Sequence, residues 1–191
     1  RASRQYTPSI RVVLLGSWIE RRFKETQSLV KRLDAIQRRV KETSYIAIQN
    51  RVYAQYVMEQ RSAKPTRLDI YSGNTVHLTQ SACGRALLAL KPDSEISALV
   101  RRCNAEVNDD RFKVKRTDTL RMIAEIRRDG YAKTTNVSSR VQGVGAIAMT
   151  FQLPGSSTAL AVGVGATIVD LERKKDMILE SLREFKRAFT D

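Results

Sequence analysis

The sequence predicts an α+β domain in which an antiparallel sheet of about six strands is covered by helices mainly on one face. Two observations lead to this prediction. The apolar period changes from 3.6 residues to 2 near Tyr45 and returns to 3.6 near Ser81. Helix and strand patterns also come in separate runs, which favours an antiparallel sheet over a parallel βαβ arrangement.

Two amphipathic helices are predicted at the start of the chain, over residues 9–23 and 24–41. We interpret both as packing and dimer elements. Each places its apolar residues on one side and its charges on the other. These residues are Ile10, Val13, Leu14 and Trp18 in the first helix, and Leu29, Val30, Leu33, Ile36 and Val40 in the second.

Alternating patterns then predict the first three strands. Residues 45–49 and 52–58 flank Asn50-Arg51, which is typical of a short hairpin turn. A third strand is predicted over residues 67–71, closed by Gly73-Asn74.

The rest of the chain predicts three helices followed by three strands and a closing helix. The order of these elements completes the α+β prediction. The predicted elements are a helix over 81–90, a helix from Pro92 or Asp93, a polar loop over 104–116, a helix capped by Thr117 or Asp118 and stopped by Gly130, strands over 131–137, 145–153 and 158–165, and a helix from Asp170.

Composition describes an ordinary globular domain. The 191 residues are 42% hydrophobic, enough to bury one core. The longest apolar run, residues 158–169, is broken by Gly163 and Gly165 and is shorter than the roughly 20 residues of a membrane-spanning helix. We therefore expect no membrane partner. Because the chain begins with Arg1, we expect it to be part of a longer protein.

The charge is strongly basic and concentrated near the start of the chain. The formal net charge is +14, and the first 42 residues hold eleven Lys or Arg against four Asp or Glu. Two interpretations stay open. The helices there are solvated packing elements, or they lie beside DNA phosphates, where basic side chains bind by releasing counterions.

The chain carries Cys83, Cys103 and a single histidine, His77, a set that does not match a zinc pattern. It predicts two buried, reduced thiols in a cytoplasmic protein. We expect neither a metal nor a cofactor.

Sequence patterns typical of enzymes are either absent or flanked by residues that do not fit them. Residues 143–148 match the letters G-x-G-x-x-A of a dinucleotide fingerprint, but a strand follows them rather than a helix. Gly163-Val164-Gly165 lacks the third small residue. There is no Gly-x-Ser-x-Gly elbow and no pair of carboxylates in an apolar strand. No catalytic residue is predicted.

Three blocks of the sequence together resemble the IclR-type bacterial transcription regulators. The first runs from His77 to Ala89 and contains Ser81-Ala82-Cys83-Gly84-Arg85-Ala86-Leu87-Leu88-Ala89. The second is Ile126-Arg127-Arg128-Asp129-Gly130-Tyr131, and the third joins residues 145–148 to residues 159–165. Residues 6–15 are also similar to the junction between the family's winged helix and its linker helix.

The resemblance implies a GAF/PAS-like effector-binding and oligomerisation domain over residues 24–191, preceded by the end of a wing and a linker helix over residues 1–23. The winged helix-turn-helix itself is absent, so no DNA-binding residue is expected in this chain. The implied partners are a small organic effector, operator DNA through the absent domain, and further copies in a homodimer or tetramer. The effector would act by favouring one arrangement of the protomers.

The resemblance also implies a set of effector-binding residues. Where the family often has hydroxyl side chains in the last strand, this chain has glycine, which predicts a wider and less polar site and an aromatic or otherwise larger organic acid. Arg85 is interpreted as an exposed residue at the start of its helix. The implied set is Val76, His77, Leu78, Ala82, Thr134, Val144, Ala146, Gly163 and Gly165.

An alternative from another functional class stays open. The chain could be a freestanding small-molecule-binding domain or a remnant enzyme without DNA-binding function, with its basic helices serving only as packing elements. The sequence upstream of Arg1 would separate the two hypotheses, because a helix-turn-helix pattern there would identify a regulator.

Overall fold

The computed structural model describes residues 24–65, 67–68, 70–135 and 143–189. The predicted helix over 9–23, with Trp18, lies outside the described residues, and so does the end of the predicted strand over 131–137. The boundary between the predicted linker and the effector-binding domain, at residues 23 and 24, therefore remains a prediction.

The described residues form six helices, six strands and one short 3-10 turn. The helices are α1 (Lys24–Val40), α2 (Ala82–Ala89), α3 (Asp93–Glu106), α4 (Arg116–Asp129), α5 (Ile168–Arg173) and α6 (Lys175–Arg187), with the 3-10 turn at Asp110–Phe112. The strands are β1 (Thr43–Asn50), β2 (Tyr53–Gln60), β3 (Thr75–His77), β4 (Ala132–Thr135), β5 (Val144–Gln152) and β6 (Ala159–Thr167).

All six strands belong to one sheet in the order β3-β2-β1-β6-β5-β4, and every neighbouring pair is antiparallel. The predicted class, an α+β domain with about six antiparallel strands, is confirmed. One detail differs from the prediction, because helices cover both faces of the sheet. Helices α2, α3 and α4 pack on one face, here named the α2 face, and α1, α5 and α6 pack on the other, the α1 face.

Two separate cores result from the alternation of side chains along the strands. In β6, Ala161 belongs to the core of the α2 face, whereas Val162 and Val164 belong to the core of the α1 face. Gly163 and Gly165 share the phase of Ala161 and so lie on the α2 face. Both faces of the central strands are apolar, which is why the helices divide between them.

The structure corrects two predicted elements. The third strand is not at residues 67–71 but at β3, and Leu68 and Ile70 lie in the loop before it with their side chains in the core of the α2 face. Leu68 and Ile70 alternate with their neighbours as strand residues do because one side of this irregular segment is buried. The closing helix is interrupted at Lys174, which separates α5 from α6.

Other local predictions are confirmed. Helix α4 ends at Gly130, whose φ of +78° gives the left-handed cap that glycine adopts readily. Cys83 and Cys103 are both free and buried. Within the described part of the chain, no helix has the combination of length and apolar character that crossing a membrane requires.

Candidate binding site

Helix α2 lies across β4, β5 and β6 and is packed closely against the segment that precedes it. Ser81 caps the helix, its Oγ accepting a hydrogen bond from the backbone N of Gly84 at 3.0 Å. A Cβ on Gly84 would lie 2.7 Å from the carbonyl carbon of Leu78 and would overlap its oxygen. Glycine is therefore required for the backbone of the His77–Thr79 segment to lie against the helix.

Below α2, the strands present a floor of small side chains. Thr134 of β4 pairs with Ala146 of β5, which pairs with Gly165 of β6, so the three residues form one row across the sheet. A second row joins Ala148 to Gly163. The full floor on the α2 face consists of Ala132, Thr134, Val144, Ala146, Ala148, Ala161, Gly163 and Gly165.

Two larger side chains of the same protein lie over the glycines of this floor. A Cβ on Gly163 would lie 2.7 Å from Cζ of Tyr45, whose ring meets the Tyr56 ring edge-to-face at a centroid distance of 5.1 Å. A Cβ on Gly165 would overlap Cδ2 of Leu68 and lie 3.0 Å from its Cβ. The space that we expected beside the glycines is thus filled by Tyr45 and Leu68.

One polar atom stands out on this floor. Thr134 is 3% exposed, and its Oγ1 makes no hydrogen bond within the described part of the chain. A buried hydroxyl without a partner costs about 1–3 kcal/mol, so such groups are rare unless they serve a purpose. Its neighbours on the floor are alanine, valine and glycine. Thr134 is the polar group that a ligand on the floor would meet.

The structure brings the predicted site residues together around the α2-face core, with His77 at its edge. Val76 packs against this core opposite Ala54. His77 stacks on Tyr53 at a ring distance of 4.7 Å, and Tyr53 itself packs against the same core. The Nδ1 of His77 is buried and makes no hydrogen bond within the described part of the chain. The residues brought together on the α2 face are Val76, Leu78, Ala82, Thr134, Val144, Ala146, Gly163 and Gly165.

Besides Ala132, Ala148 and Ala161 of the floor, sequence reasoning missed three large residues of the same face: Tyr45, Tyr56 and Leu68. Burial raises the pKa of both tyrosines well above the ordinary value, with the neighbouring Cys83 as a smaller cause. The phase that Tyr45 shares with Ala47 in a predicted strand could have placed it on one face, but its position against Gly163 depends on the pairing of β1 with β6. Leu68 gave no comparable signal, since a loop has no regular phase.

Arg85 is not the exposed residue that we expected. It is half-buried, and its Nε donates a hydrogen bond to the backbone oxygen of Thr79 at 2.9 Å. Burial lowers the pKa of the guanidinium. Among the described residues no carboxylate forms an ion pair with it, so its role here is to hold the segment before α2 against the helix.

The described residues contain no group of three or more His, Cys, Asp or Glu side chains that could hold a metal ion. What the α2 face offers is a packed apolar surface with small residues below and two tyrosine rings at one side. Two buried hydroxyls there, of Thr134 on the floor and of Thr79 in the segment before α2, make no hydrogen bond within the described residues. An organic molecule would fit there only if side chains that now fill the space, such as Leu68, moved.

Comparisons with known proteins agree with this architecture. A family model described as the bacterial transcriptional regulator IclR C-terminal domain matches residues 25–190. A search of curated protein sequences gives no significant match.

Several solved structures are similar to this chain. The effector domain of a transcriptional regulator IclR from Acinetobacter sp. ADP1 is 23% identical with a TM-score of 0.78, and the match covers 87% of this chain and 95% of that one. IclR from Thermotoga maritima is 18% identical with a TM-score of 0.75, covering 97% and 76%. An IclR transcriptional regulator from Silicibacter sp. TM1040 is 18% identical with a TM-score of 0.82, covering 100% and 74%. At these identities the likeness establishes the fold.

Proposed function

Because the chain belongs to the bacterial transcriptional regulator IclR C-terminal family, we propose that it is the effector-sensing domain of a DNA-binding regulator and that its effector binds on the α2 face. The role is sensing rather than catalysis. The effector would lie between α2 and the floor formed by β4, β5 and β6.

The observation that supports this location is the unpaired hydroxyl of Thr134. It is buried in a row of small residues beneath α2, where nothing in the described chain satisfies it. An effector with one polar group could accept or donate a hydrogen bond there and place its apolar body against alanine and glycine. The other predicted site residues lie on the same face, with His77 at its edge, and we retain the whole set as the proposed binding residues.

The proposed effector is an aromatic or otherwise larger organic acid. Apart from Thr134, the floor is apolar, and the edge-to-face pair of Tyr45 and Tyr56 provides a wall against which an aromatic ring packs well. A two- or three-carbon keto acid has little apolar surface to bury here. A ring that reaches Gly165 has to take the position of Leu68, which belongs to a loop and is easier to move than a strand residue.

Thermal denaturation with added ligands tests both the location and the class. Benzoate and 4-hydroxybenzoate should raise the midpoint of the wild-type chain, whereas pyruvate and glyoxylate should not. The substitution Thr134→Val keeps the shape of the side chain, so it should reduce the shift given by the aromatic acids while the protein stays folded.

Thr119→Val is the matched control. Thr119 lies in α4 rather than on the floor and is also 3% exposed, but its hydroxyl donates to the Lys115 oxygen at 2.9 Å. That variant should keep the full ligand shift. Stabilisation by the keto acids alone would overturn the ligand class, and an equal ligand shift in the Thr134 and Thr119 variants would overturn the location.

We also propose that the domain acts on operator DNA through an N-terminal domain not included in these 191 residues and that it functions as a homodimer or tetramer. Titration of this chain with DNA at rising salt should show weak, sequence-independent binding or none. Sequence-specific binding by these residues alone would contradict the proposal. Sedimentation equilibrium would test the assembly, and a monomer at all concentrations would overturn it.

A further inference from the structure

The end of α1 meets two other segments at a buried carboxylate. Glu42 is 1% exposed, although glutamate is among the residues least often buried. Its Oε1 accepts a hydrogen bond from Nζ of Lys174 at 2.5 Å and another from Nζ of Lys64. Lys174 also donates to the Val40 oxygen at 2.7 Å, so it contacts the last turn of α1 directly.

The second partner, Lys64, comes from the β2–β3 loop, whose described residues are 61–65, 67–68 and 70–74. Its Nζ reaches Asp170 at the start of α5 at 2.7 Å as well as Glu42. Near the start of the same loop, Ser62 donates from its Oγ to the Lys41 oxygen at 3.0 Å and from its backbone N to Oγ1 of Thr43 at 3.1 Å. Through Ser62 and Lys64, the loop therefore bonds at two points to the residues immediately after α1.

Stability alone gives a poor account of this cluster. Replacing a buried ion pair by apolar residues of similar volume is often neutral or stabilising, because taking the charges out of water offsets their attraction. An ion cluster does fix the relative positions of the segments that carry its charges. Here those segments are α1, the loop that carries Leu68, and the junction of α5 with α6.

We infer that Glu42 is a positioning residue that couples the α2 face to α1. This rests on the proposed function, since it takes the α2 face as the effector site. Leu68 lies over Gly165, whose partner in β1 is Thr43, the residue next to Glu42. A ligand that displaces Leu68 moves the loop, and Ser62 and Lys64 carry that movement to the residues that end α1.

The turn after α1 explains how a movement of the β2–β3 loop would reach the helix. Lys41 has a φ of +61°, the left-handed conformation that closes the helix, and its N donates to the Gln37 oxygen at 2.8 Å. The Lys41 oxygen is the acceptor for Ser62, so the loop contacts the turn that sets the exit direction of the helix. A small shift of the loop changes this turn before any other part of α1.

Hydrogen exchange measured by mass spectrometry on the complete 191-residue chain tests the coupling without any ligand. Leu68→Ala mimics loss of the side chain from the face and lies outside the ion cluster. In the wild-type background it should accelerate exchange of the amides of residues 36–42 by roughly threefold to tenfold. In a background carrying Ser62→Ala and Lys64→Met, Leu68→Ala should change these amides by less than about twofold.

The matched control background carries Ser97→Ala and Lys91→Met. Ser97 donates to the Asp93 oxygen at 2.7 Å and Lys91 pairs with Glu95 at 2.7 Å, both on the surface near the start of α3. The response of residues 36–42 to Leu68→Ala should be intact in this background. If the protein with Ser62→Ala and Lys64→Met fails to fold, Glu42→Gln, which keeps the side-chain shape, takes its place. In that background too, Leu68→Ala should change exchange of residues 36–42 by less than about twofold.

The inference would be overturned if Leu68→Ala accelerated exchange of residues 36–42 equally in the wild type and in the Ser62→Ala, Lys64→Met background. It would also be overturned if Leu68→Ala did not change their exchange in the wild type. Because the experiment contains no effector, its failure is distinct from a failure of the ligand screen. A negative screen would leave the coupling measurement valid, and a negative coupling measurement would leave the location of the effector site unaffected.

Discussion

The ring of Tyr45 lies directly against Gly163, its partner across β1 and β6, in the space that a Cβ would occupy. The phenolic oxygen and Cζ are each 2.7 Å from that position. Tyr45 is 1% exposed and its ring also packs edge-to-face on Tyr56, so it is enclosed by protein. The glycine and the tyrosine therefore depend on each other's size.

This dependence predicts a coupled pair of substitutions. Gly163→Ala should lower the free energy of unfolding by about 1–3 kcal/mol through overpacking. In a Tyr45→Leu background, whose shorter side chain leaves the position open, the same substitution should cost less than about 0.5 kcal/mol. Urea denaturation of the four proteins gives the coupling. Equal costs in both backgrounds would show that Tyr45 is not the obstacle.

A second prediction concerns Gly84 in the first turn of α2. In an open helix, alanine is more favourable than glycine by about 1 kcal/mol. Gly84→Ala should instead destabilise the protein, by about 1–3 kcal/mol, because the Leu78 backbone blocks the methyl group and cannot rotate away as a side chain can. Chemical denaturation measures the sign directly. A stabilised variant would contradict the close packing of the segment on the helix.

A third prediction follows from the unsatisfied hydroxyl on the floor. Thr134→Val removes a buried polar group that makes no hydrogen bond to the described residues, so the free energy of unfolding without ligand should rise by about 1 kcal/mol or stay unchanged. Thr119→Val, which removes a hydroxyl that does donate, should lower it by a similar amount. If Thr134→Val proves the more destabilising of the two, the hydroxyl is satisfied in the protein and its proposed role in binding weakens.

The pH dependence of stability gives a fourth prediction. Lys64, through its hydrogen bond, lowers the pKa of Asp170, and burial only partly opposes this. A lowered carboxyl pKa contributes stability that is complete above the pKa of the unfolded chain, about 3.9, and is lost as the pH falls through the folded value.

Unfolding free energies measured from pH 6 to pH 2.5 should therefore fall less steeply below about pH 4 for Asp170→Asn than for the wild type. Above pH 5 the two curves should run parallel, because the carboxyl is ionised in both the folded and the unfolded chain. Parallel curves over the whole range would show that Asp170 is not shifted.

The sequence allowed the class of the fold to be predicted because amphipathic periodicity is local. Leu29, Leu33, Ile36 and Val40 identify α1 without reference to any other segment, and Gly130 identifies the end of α4. The position of β3 could not be predicted in this way. Leu68 and Ile70 alternate as strand residues do, yet they reach the core from an irregular loop, whereas β3 has only three residues and too short a pattern to detect.

The candidate site was predictable only as far as single strands allow. Thr134, Ala146 and Gly165 lie together as expected, since each shares the inward phase of its strand. The contents of the space above them depend on which residues face each other across the sheet, and register is a property of the fold rather than of one segment. The prediction that Arg85 is exposed was wrong for a related reason. The pattern of a helix does not show that a neighbouring loop packs against its polar side, as the segment ending at Thr79 does here.

The separation of the two cores by one sheet has a further consequence for how this domain can diverge. Val162 and Gly163 are neighbours in the chain, yet a substitution at one reaches the packing of α1 and α6, and a substitution at the other reaches the surface under α2. Substitutions at Gly163 and the residues in its phase therefore change the α2 face directly, and they would reach α1 only through the loop that carries Leu68. If the proposed effector site is right, alternate positions of β5 and β6 are where its ligand preference can be changed while the side chains packed on α1 and α6 stay the same.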